Sequence, residues 1–209
     1  MASNVGMYIG AQHNLWLDEA APTAQDATTP NGLQPGEVTI VKLTGICDGC
    51  SSDVHFWKHG GIGPWQVTNP YLLGHEPADM VIAVHLSVTK LAVGDHVAVE
   101  PYITCGACEP CLIGRYNDCK NLIFRSSPPS HGLMRRYVNQ PATWCHKICS
   151  LSFDQGALLE LQSVALTAVT RSEVKIGGPV LICGCRTNRS NYLTCLSSGG
   201  SISYCYYGH

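Results

Sequence analysis

Residues 105–119, Cys105-Gly-Ala-Cys108-Glu-Pro-Cys111-Leu-Ile-Gly-Arg-Tyr-Asn-Asp-Cys119, carry four cysteines in the pattern C-x2-C-x2-C-x7-C. Gaps of two residues let neighbouring thiolates turn toward one ion, and four thiolates satisfy tetrahedral Zn2+ with no open position. A closed site of this kind is structural, because the binding free energy of the metal stabilises the loop that carries it. We therefore predict a structural zinc site held by Cys105, Cys108, Cys111 and Cys119.

Two other uses of clustered cysteines fit this stretch less well. The bacterial iron–sulfur run has three residues before its fourth cysteine and then a proline, whereas here the gap is seven and Lys120 follows. Disulfides need an oxidising compartment, and residues 1–8 lack the basic and apolar stretches of a secretory signal. We expect a cytoplasmic protein whose twelve cysteines are reduced.

Composition and charge argue against several classes of partner. The chain has 209 residues, a formal net charge of −2 and only 13% charged residues. So low a charged fraction argues against a disordered chain, and the near-neutral balance does not favour nucleic acid or a membrane surface. No apolar run reaches the ~18 residues of a membrane span. We therefore predict a globular protein that binds neither nucleic acid nor a membrane.

Short runs in the first three quarters of the chain alternate apolar and polar residues between turns rich in Gly and Pro. Alternation with a period of two is typical of strands that bury one face. The clearest runs span residues 37–43, 79–84 and 96–100. We predict a mainly β domain over residues 1–152.

The pattern changes to helical spacing at the end of this domain. Apolar residues recur at helical intervals from Asp154 to Val169, with Ser152 or Asp154 as the N-cap. The apolar run that follows ends on Gly184, which is typical of the first strand of an α/β unit. We predict the start of an α/β domain over residues 153–184.

Two further segments carry side chains that ligate metals: residues 44–60, TGICDGCSSDVHFWKHG, and residues 73–76, LGHE. Alone, a histidine beside an acidic residue is more often a structural hydrogen-bonded pair. Together with the four-cysteine stretch, these segments resemble the zinc-dependent medium-chain dehydrogenases. The sequence is most similar to the polyol branch, which includes sorbitol, xylitol and L-arabinitol dehydrogenases, and especially to the fungal L-arabinitol type. Segments that extend the resemblance, in the same order, are GRYN at 114–117, RRYVN at 135–139, WCHKI at 144–148 and SVAL at 163–166.

The resemblance implies a GroES-like, β-rich catalytic domain with a zinc lobe, followed by a Rossmann cofactor domain. It implies an NAD-dependent oxidoreductase that oxidises a secondary alcohol of a small polyol to a ketone by hydride transfer. It also implies two zinc ions, one structural and one catalytic. Which polyol is the substrate, and whether NAD or NADP is the cofactor, stay open, and a homo-oligomer is compatible with the family.

The same resemblance implies a set of catalytic zinc ligands. A cysteine of the first segment, His75 and Glu76 would bind the ion, with Glu160 as a direct or water-bridged ligand. Cys47 keeps the preceding Thr-Gly-Ile of the family, whereas Cys50 keeps the spacing to His75. We favour Cys50, because the downstream spacing places the ligand relative to its partners, but a shift of register in the inserted loop would select Cys47.

Two residues of the first segment occupy positions at which related dehydrogenases relay the hydroxyl proton outward. Ser52 lies two residues after Cys50, and His55 lies three residues further on. The resemblance therefore assigns them a role in proton transfer. A role of His55 in packing or in orienting a ligand is the alternative.

The resemblance breaks after Gly184, which in the family begins the glycine-rich turn that binds the cofactor pyrophosphate. Residues 185–209 contain no G-x-G-x-x-G. Codons can be chosen for Cys185 to Leu193 that, when read from their second base, give Ala-Gly-Pro-Ile-Gly-Leu-Ile-Thr-Leu, which begins with the Ala-Gly-Pro-Ile-Gly-Leu of the family. We predict that residues 185–209 are an out-of-frame translation of the cofactor domain, which resequencing the transcript tests. We then expect this truncated chain to lack turnover, and the alternative function is a non-catalytic zinc-binding domain or interaction fragment.

Overall fold

The computed structural model describes residues 3–23, 32–41 and 50–173. The predicted strand that ends at Gly184 and the tail over 185–209 lie outside the described residues, as does Cys47. The chain divides into two compact units, Met1–Ala157 and Leu158–His209. The domain boundaries inferred from the sequence stay predictions. No helix within the described part of the chain is long and apolar enough to cross a membrane.

Strands dominate the described part of the first unit. In chain order they are β1 (Gly6–Ile9), β2 (Leu15–Asp18), β3 (Glu37–Val41), β4 (Gly61–Ile62), β5 (Trp65–Gln66), β6 (Tyr71–Leu72), β7 (Ala78–Val84), β8 (His96–Val99), β9 (Tyr102–Ile103), β10 (Ile123–Phe124), β11 (Tyr137–Pro141) and β12 (Cys145–Lys147). The α-helices are α1 (Ser51–His59), α2 (Glu109–Leu112) and α3 (Phe153–Arg171), and short 3-10 turns occur at Tyr116–Asp118 and Ala142–Trp144.

A five-stranded antiparallel sheet forms the centre of the first unit, in the order β11-β3-β7-β8-β12. The three strands predicted from period-two alternation are confirmed as β3, β7 and β8, and they are neighbours in this sheet. Alternation marks them because their apolar residues bury one face. That face packs in a cluster of Val38, Val81, Leu91, Val97, Val99, Leu133, Val138 and Cys145.

A second, three-stranded antiparallel sheet has the order β2-β1-β6. Helix α1 packs close to it, since Phe56 shares a buried cluster with Ile9, Tyr71 and Leu73. The Phe56 and Tyr71 rings meet edge to face, with centroids 6.1 Å apart. This packing brings the end of β6 close to the start of α1.

Helix α1 is not anticipated by the apolar pattern, because Asp53 and Phe56 are its only buried residues. Its charges and its C-cap are usual helix signals: Lys58 and His59 lie in the last turn and Gly60 follows. Gly60 has φ 73° and donates its N–H to Phe56 O, a left-handed cap that glycine adopts without a steric cost. A reading of these end signals would have found the helix.

The predicted helix after residue 152 is confirmed as α3. Ser152 is its cap, since its Oγ accepts the N–H of Gln155 and its own N–H donates to the Gln155 side chain, in a capping box. The apolar residues predicted along this helix are buried only in part. Leu158 and Val164 are 45% and 41% exposed, and only three apolar residues of the helix, spaced four residues apart, are buried.

Candidate metal centres

The four cysteines predicted to bind structural zinc come together in the loop between β9 and β10. Their Sγ–Sγ distances are 3.4 Å for Cys108–Cys111, 3.6 Å for Cys119–Cys105, 3.8 Å for Cys108–Cys119 and 4.0 Å for Cys105–Cys111. A tetrahedron with Zn–S bonds of ~2.3 Å has edges of about 3.8 Å, whereas bonded disulfide sulfurs lie ~2.05 Å apart. The arrangement therefore fits one Zn2+ with four thiolate ligands. All seven cysteines that the structure describes are free.

The thiols of this cluster influence one another's ionisation. Hydrogen bonds from the backbone N–H groups of Ala107 and Cys108 lower the pKa of Cys105 to about 6. Partial burial and interactions with Cys108 and Cys119 raise the pKa of Cys111 to about 11. A divalent cation would neutralise the repulsion between thiolates and so favour the ionised form of all four.

At the base of this cysteine lobe, strand β10 contacts a second group of ligating side chains. Strands β9 and β10, which flank the lobe, pair Tyr102 with Phe124 and Ile103 with Ile123. The Phe124 ring packs against Tyr102 on one side, at a centroid distance of 5.3 Å, and against His75 at 5.2 Å. The fold of the lobe therefore supports the position of His75.

Cys50, His75 and Glu76 form this second group, and their ligand atoms all lie within 4.8 Å of one another. His75 and Glu76 are 4% and 1% exposed, and Cys50 is half-buried. His75 Nε2 lies 4.0 Å from Glu76 Oε1, a span that two metal bonds of ~2.1 Å can bridge. Cys50 directly precedes α1, whereas His75 and Glu76 follow β6. Tertiary packing thus unites ligands that are 25 residues apart in the chain.

The charges at this centre also fit a bound cation. Burial raises the pKa of Cys50, but hydrogen bonds with His75 and Ser52 outweigh it and lower that pKa to about 7. Burial lowers the pKa of His75, but Asp53 and Cys50 outweigh it and raise that pKa to about 11. A positive charge is therefore stabilised between these groups, and a zinc ion bound by the same atoms would replace the proton. One thiolate, one imidazole and one carboxylate leave a fourth tetrahedral position open, the composition of a catalytic zinc site.

Asp53, on α1, lies at this centre although no sequence pattern above singles it out. Its side chain is 2% exposed, and its Oδ2 lies 3.3 Å from His75 Nδ1. Its Oδ1 accepts hydrogen bonds from Ser126 Oγ and from the N–H of Gly74. A carboxylate on the far nitrogen of a ligating histidine fixes the ring's orientation and tautomer. An acidic residue three positions after the predicted cysteine ligand was the available signal.

Gly132 allows a second segment to hold the backbone next to His75. A Cβ on Gly132 would lie 2.3 Å from Leu73 O, so a larger residue would clash with the backbone there. The close approach lets Gly132 N donate to Leu72 O and Leu133 N donate to Gly74 O. The residues just before His75 are thereby fixed on both sides.

Replacing Asp53 with Asn is expected to weaken zinc binding at the Cys50–His75–Glu76 centre by about 10–100-fold. The amide keeps the size and can still accept from Ser126, but it removes the negative charge that faces His75. Competition with a zinc chelator measures the affinity, and the matched control is Asp154→Asn, an exposed position at the start of α3. Equal affinity in the Asp53→Asn variant and the wild type would contradict the role assigned to Asp53.

The other predicted site residues have different surroundings. Ser52 Oγ donates a hydrogen bond to Cys50 Sγ at 3.3 Å, and His55 is exposed on α1. Glu160 lies on α3 in the second unit, and Gly184 lies outside the described residues. The proton-transfer roles of Ser52 and His55, the ligand role of Glu160 and the cofactor-binding role of Gly184 stay predictions.

Comparison with known protein families gives a match over residues 34–150 to the alcohol dehydrogenase GroES-like domain. The chain is 52% identical over 200 residues to L-arabinitol 4-dehydrogenase of Aureobasidium melanogenum, an alignment of 95% of this chain and 54% of that protein. It is 42% identical over 162 residues to the probable D-xylulose reductase A of Emericella nidulans, covering 77% of this chain and 44% of that protein. The chain thus spans about half the length of the curated relatives it matches.

Solved structures agree with this match. The crystal structure of an Escherichia coli oxidoreductase/dehydrogenase of unknown specificity superposes with a TM-score of 0.82 at 29% identity. The superposition covers 97% of this chain and 57% of that one. The GroES-like fold implied by the sequence is therefore confirmed for the described part of the first unit.

Proposed function

We propose, since the chain belongs to the zinc-dependent medium-chain polyol dehydrogenase family, that it provides the zinc-binding catalytic half of a polyol oxidoreductase. The observation that carries this proposal is the Cys50–His75–Glu76 group, whose three ligands would leave a fourth tetrahedral position open, with Asp53 behind His75. The reaction would oxidise a secondary alcohol to a ketone and transfer the hydride to NAD.

The residues of the site divide the work of such a reaction. Cys50, His75 and Glu76 would hold the catalytic zinc, which supplies Lewis-acid polarisation of the substrate hydroxyl. The half-buried Ser52 would accept the hydroxyl proton, and the exposed His55 would release it to solvent. The proton would thus move from Ser52, near the metal centre, to His55 at the surface, in the direction of increasing exposure along α1. Glu160 would contribute as a direct or water-bridged ligand.

The four-cysteine lobe would hold a second, structural zinc ion. Its sulfurs are already at tetrahedral spacing, and they leave no position for substrate. Two zinc sites with five thiolates require reduced cysteines, which supports a cytoplasmic location. We also propose, from the family resemblance, that the protein forms a homo-oligomer.

The names of the relatives support a small polyol as the substrate class. The Aureobasidium melanogenum relative is named for L-arabinitol and the Emericella nidulans relative for D-xylulose. Both names refer to five-carbon compounds, since L-arabinitol is a polyol and D-xylulose is a ketose. We propose L-arabinitol-type polyols as the first substrates to assay, with NAD as the first cofactor.

A second candidate is a zinc-binding module without turnover. The observation that favours it is the absence of a G-x-G-x-x-G turn in residues 185–209. Such a chain would bind both zinc ions but would lack the phosphate-binding loop that a dinucleotide needs. It could act as a partner of full-length subunits.

Zinc content and NAD reduction together test the two candidates. We expect two zinc ions per chain by elemental analysis and no NADH formation with L-arabinitol, xylitol or sorbitol from this chain alone. Residues 1–184 joined to the cofactor domain of the Aureobasidium melanogenum relative are expected to oxidise L-arabinitol. A chimera that holds two zinc ions and NAD without turnover would favour the module, and a chain without zinc would contradict both candidates.

A further inference from the structure

Two histidines on α1 lie outside both metal centres and face each other. His55 and His59 are both exposed, and their ring centroids are 4.4 Å apart with an interplanar angle of 42°. We propose that they form a third, surface metal site, which binds one transition-metal ion through two imidazole nitrogens.

The helix sets the spacing that this site needs. Residues four apart on an α-helix lie on the same face, one turn above the other. Two histidines at this spacing are a known zinc-binding arrangement on helices. Bonds of ~2.0–2.1 Å from one ion to each ring require the two nitrogens to lie about 3–4 Å apart, which the ring separation permits by rotation of the exposed side chains.

The electrostatics of the helix end favour a cation at this position. Helix α1 has nine residues and ends at His59, so the second histidine lies in its last turn, where the helix dipole places partial negative charge. The neighbouring Lys58 places its ammonium 3.8 Å from the centroid of the Trp57 ring. A cation–π contact there attracts the ammonium to the ring.

Hydrogen bonds with His13 hold Trp57 in place, and so fix the ring that Lys58 contacts. The Trp57 Nε1–H donates to His13 O at 2.8 Å, and His13 Nδ1 lies 2.8 Å from Trp57 O. These reciprocal contacts join α1 to the turn between β1 and β2. They occupy His13 Nδ1, so the proposed site consists of His55 and His59, with water completing the coordination.

The ligand type defines which metals would bind. Imidazole pairs suit Zn2+, Cu2+ and Ni2+, whereas Mg2+ and Ca2+ prefer oxygen ligands. The absence of thiolate and carboxylate ligands and the exposure of both rings make the site weaker and more readily exchanged than the Cys50–His75–Glu76 centre. It would respond to free metal rather than hold a resident ion.

Calorimetric titration with Ni2+ tests the site without requiring turnover, on the full chain loaded with zinc and then freed of excess and weakly bound zinc by gel filtration. We expect one nickel-binding event that the His59→Ala variant weakens by at least about tenfold, since one ligand of the chelate is lost. His85→Ala is the matched control, because His85 contacts Ser87 rather than a second histidine. Zinc released during the titration is measured, so that exchange at the thiolate centres is separated from binding on α1.

Two results would overturn this site. One is a His59→Ala titration that matches the wild type, including the case in which neither binds nickel. The other is a loss in the His85→Ala variant as large as that in His59→Ala, which would indicate non-specific binding by surface histidines. Both results are independent of polyol oxidation, so failure of this site and failure of the proposed function are distinguishable.

Discussion

Replacing Cys50 with Ser is expected to remove one of two zinc ions from the chain, whereas replacing Cys47 with Ser leaves both bound. Cys50 Sγ lies within 4.8 Å of the ligand atoms of His75 and Glu76, so we propose its thiolate as the soft ligand of that centre. Elemental analysis after gel filtration measures the zinc content. In the chimera with a cofactor domain, we expect Cys50→Ser to lower kcat by at least about a thousandfold, since zinc supplies several kcal/mol of charge stabilisation.

The paired substitution also tests the assignment of the ligand. Both cysteines lie in the segment that resembles the family, and Cys47 keeps its preceding residues while Cys50 keeps its downstream spacing. Zinc loss in Cys47→Ser with retention in Cys50→Ser would contradict the assignment and indicate that the loop supplies Cys47 instead. Retention of both ions in both variants would contradict a zinc site at His75 and Glu76 that needs a thiolate.

Replacing Cys119 with Ser is expected to release the other zinc ion and to lower the free energy of unfolding by at least about 3 kcal/mol. Cys119 is the buried member of the four-cysteine cluster, and without it three thiolates would remain close together around a weaker site. Urea unfolding gives the free energy, and limited proteolysis reports on residues 105–119. Cys149→Ser is the matched control, because Cys149 is exposed and lies outside both groups.

The Cys119→Ser variant also tests whether the lobe supports the second centre. Because Phe124 at the base of the lobe packs against His75, we expect weaker zinc binding at the second centre in this variant. The reverse effect should be small, since Cys50→Ser leaves the tetrahedral lobe intact. A Cys119→Ser chain that keeps two zinc ions and wild-type stability would contradict a structural zinc in the lobe.

Local patterns predicted the elements whose residues interact within a short stretch. The four cysteines of the lobe span 15 residues, so their spacing alone defines a closed tetrahedral set. Strands β3, β7 and β8 alternate because apolar residues line one face of each, and Ser152 caps α3 through a partner three residues away. In each case the signal lies within one short stretch of the chain.

Helices that are only partly buried are harder to predict from the sequence. Helix α1 buries little of its surface, so its apolar periodicity is weak although its C-cap is regular. Helix α3 shows the opposite case, because helical spacing of apolar residues does not by itself bury them. Exposure of Leu158 and Val164 depends on what packs against the helix.

The amino-acid sequence alone determines the chemistry of each candidate ligand, since thiols, imidazoles and carboxylates bind metals when they lie close together. Resemblance to a family was enough to choose His75 and Glu76 from among the others. Only the tertiary structure brings these ligands close together. Asp53 contacts Ser126, 73 residues away, and the Gly74 N–H donates to both of them. These long-range hydrogen bonds, with the packing of Phe56 on Tyr71, bring Cys50 to within metal-binding distance of His75. No local sequence pattern predicts the distance between Cys50 and His75, because that distance is set by contacts between elements that are far apart in the chain.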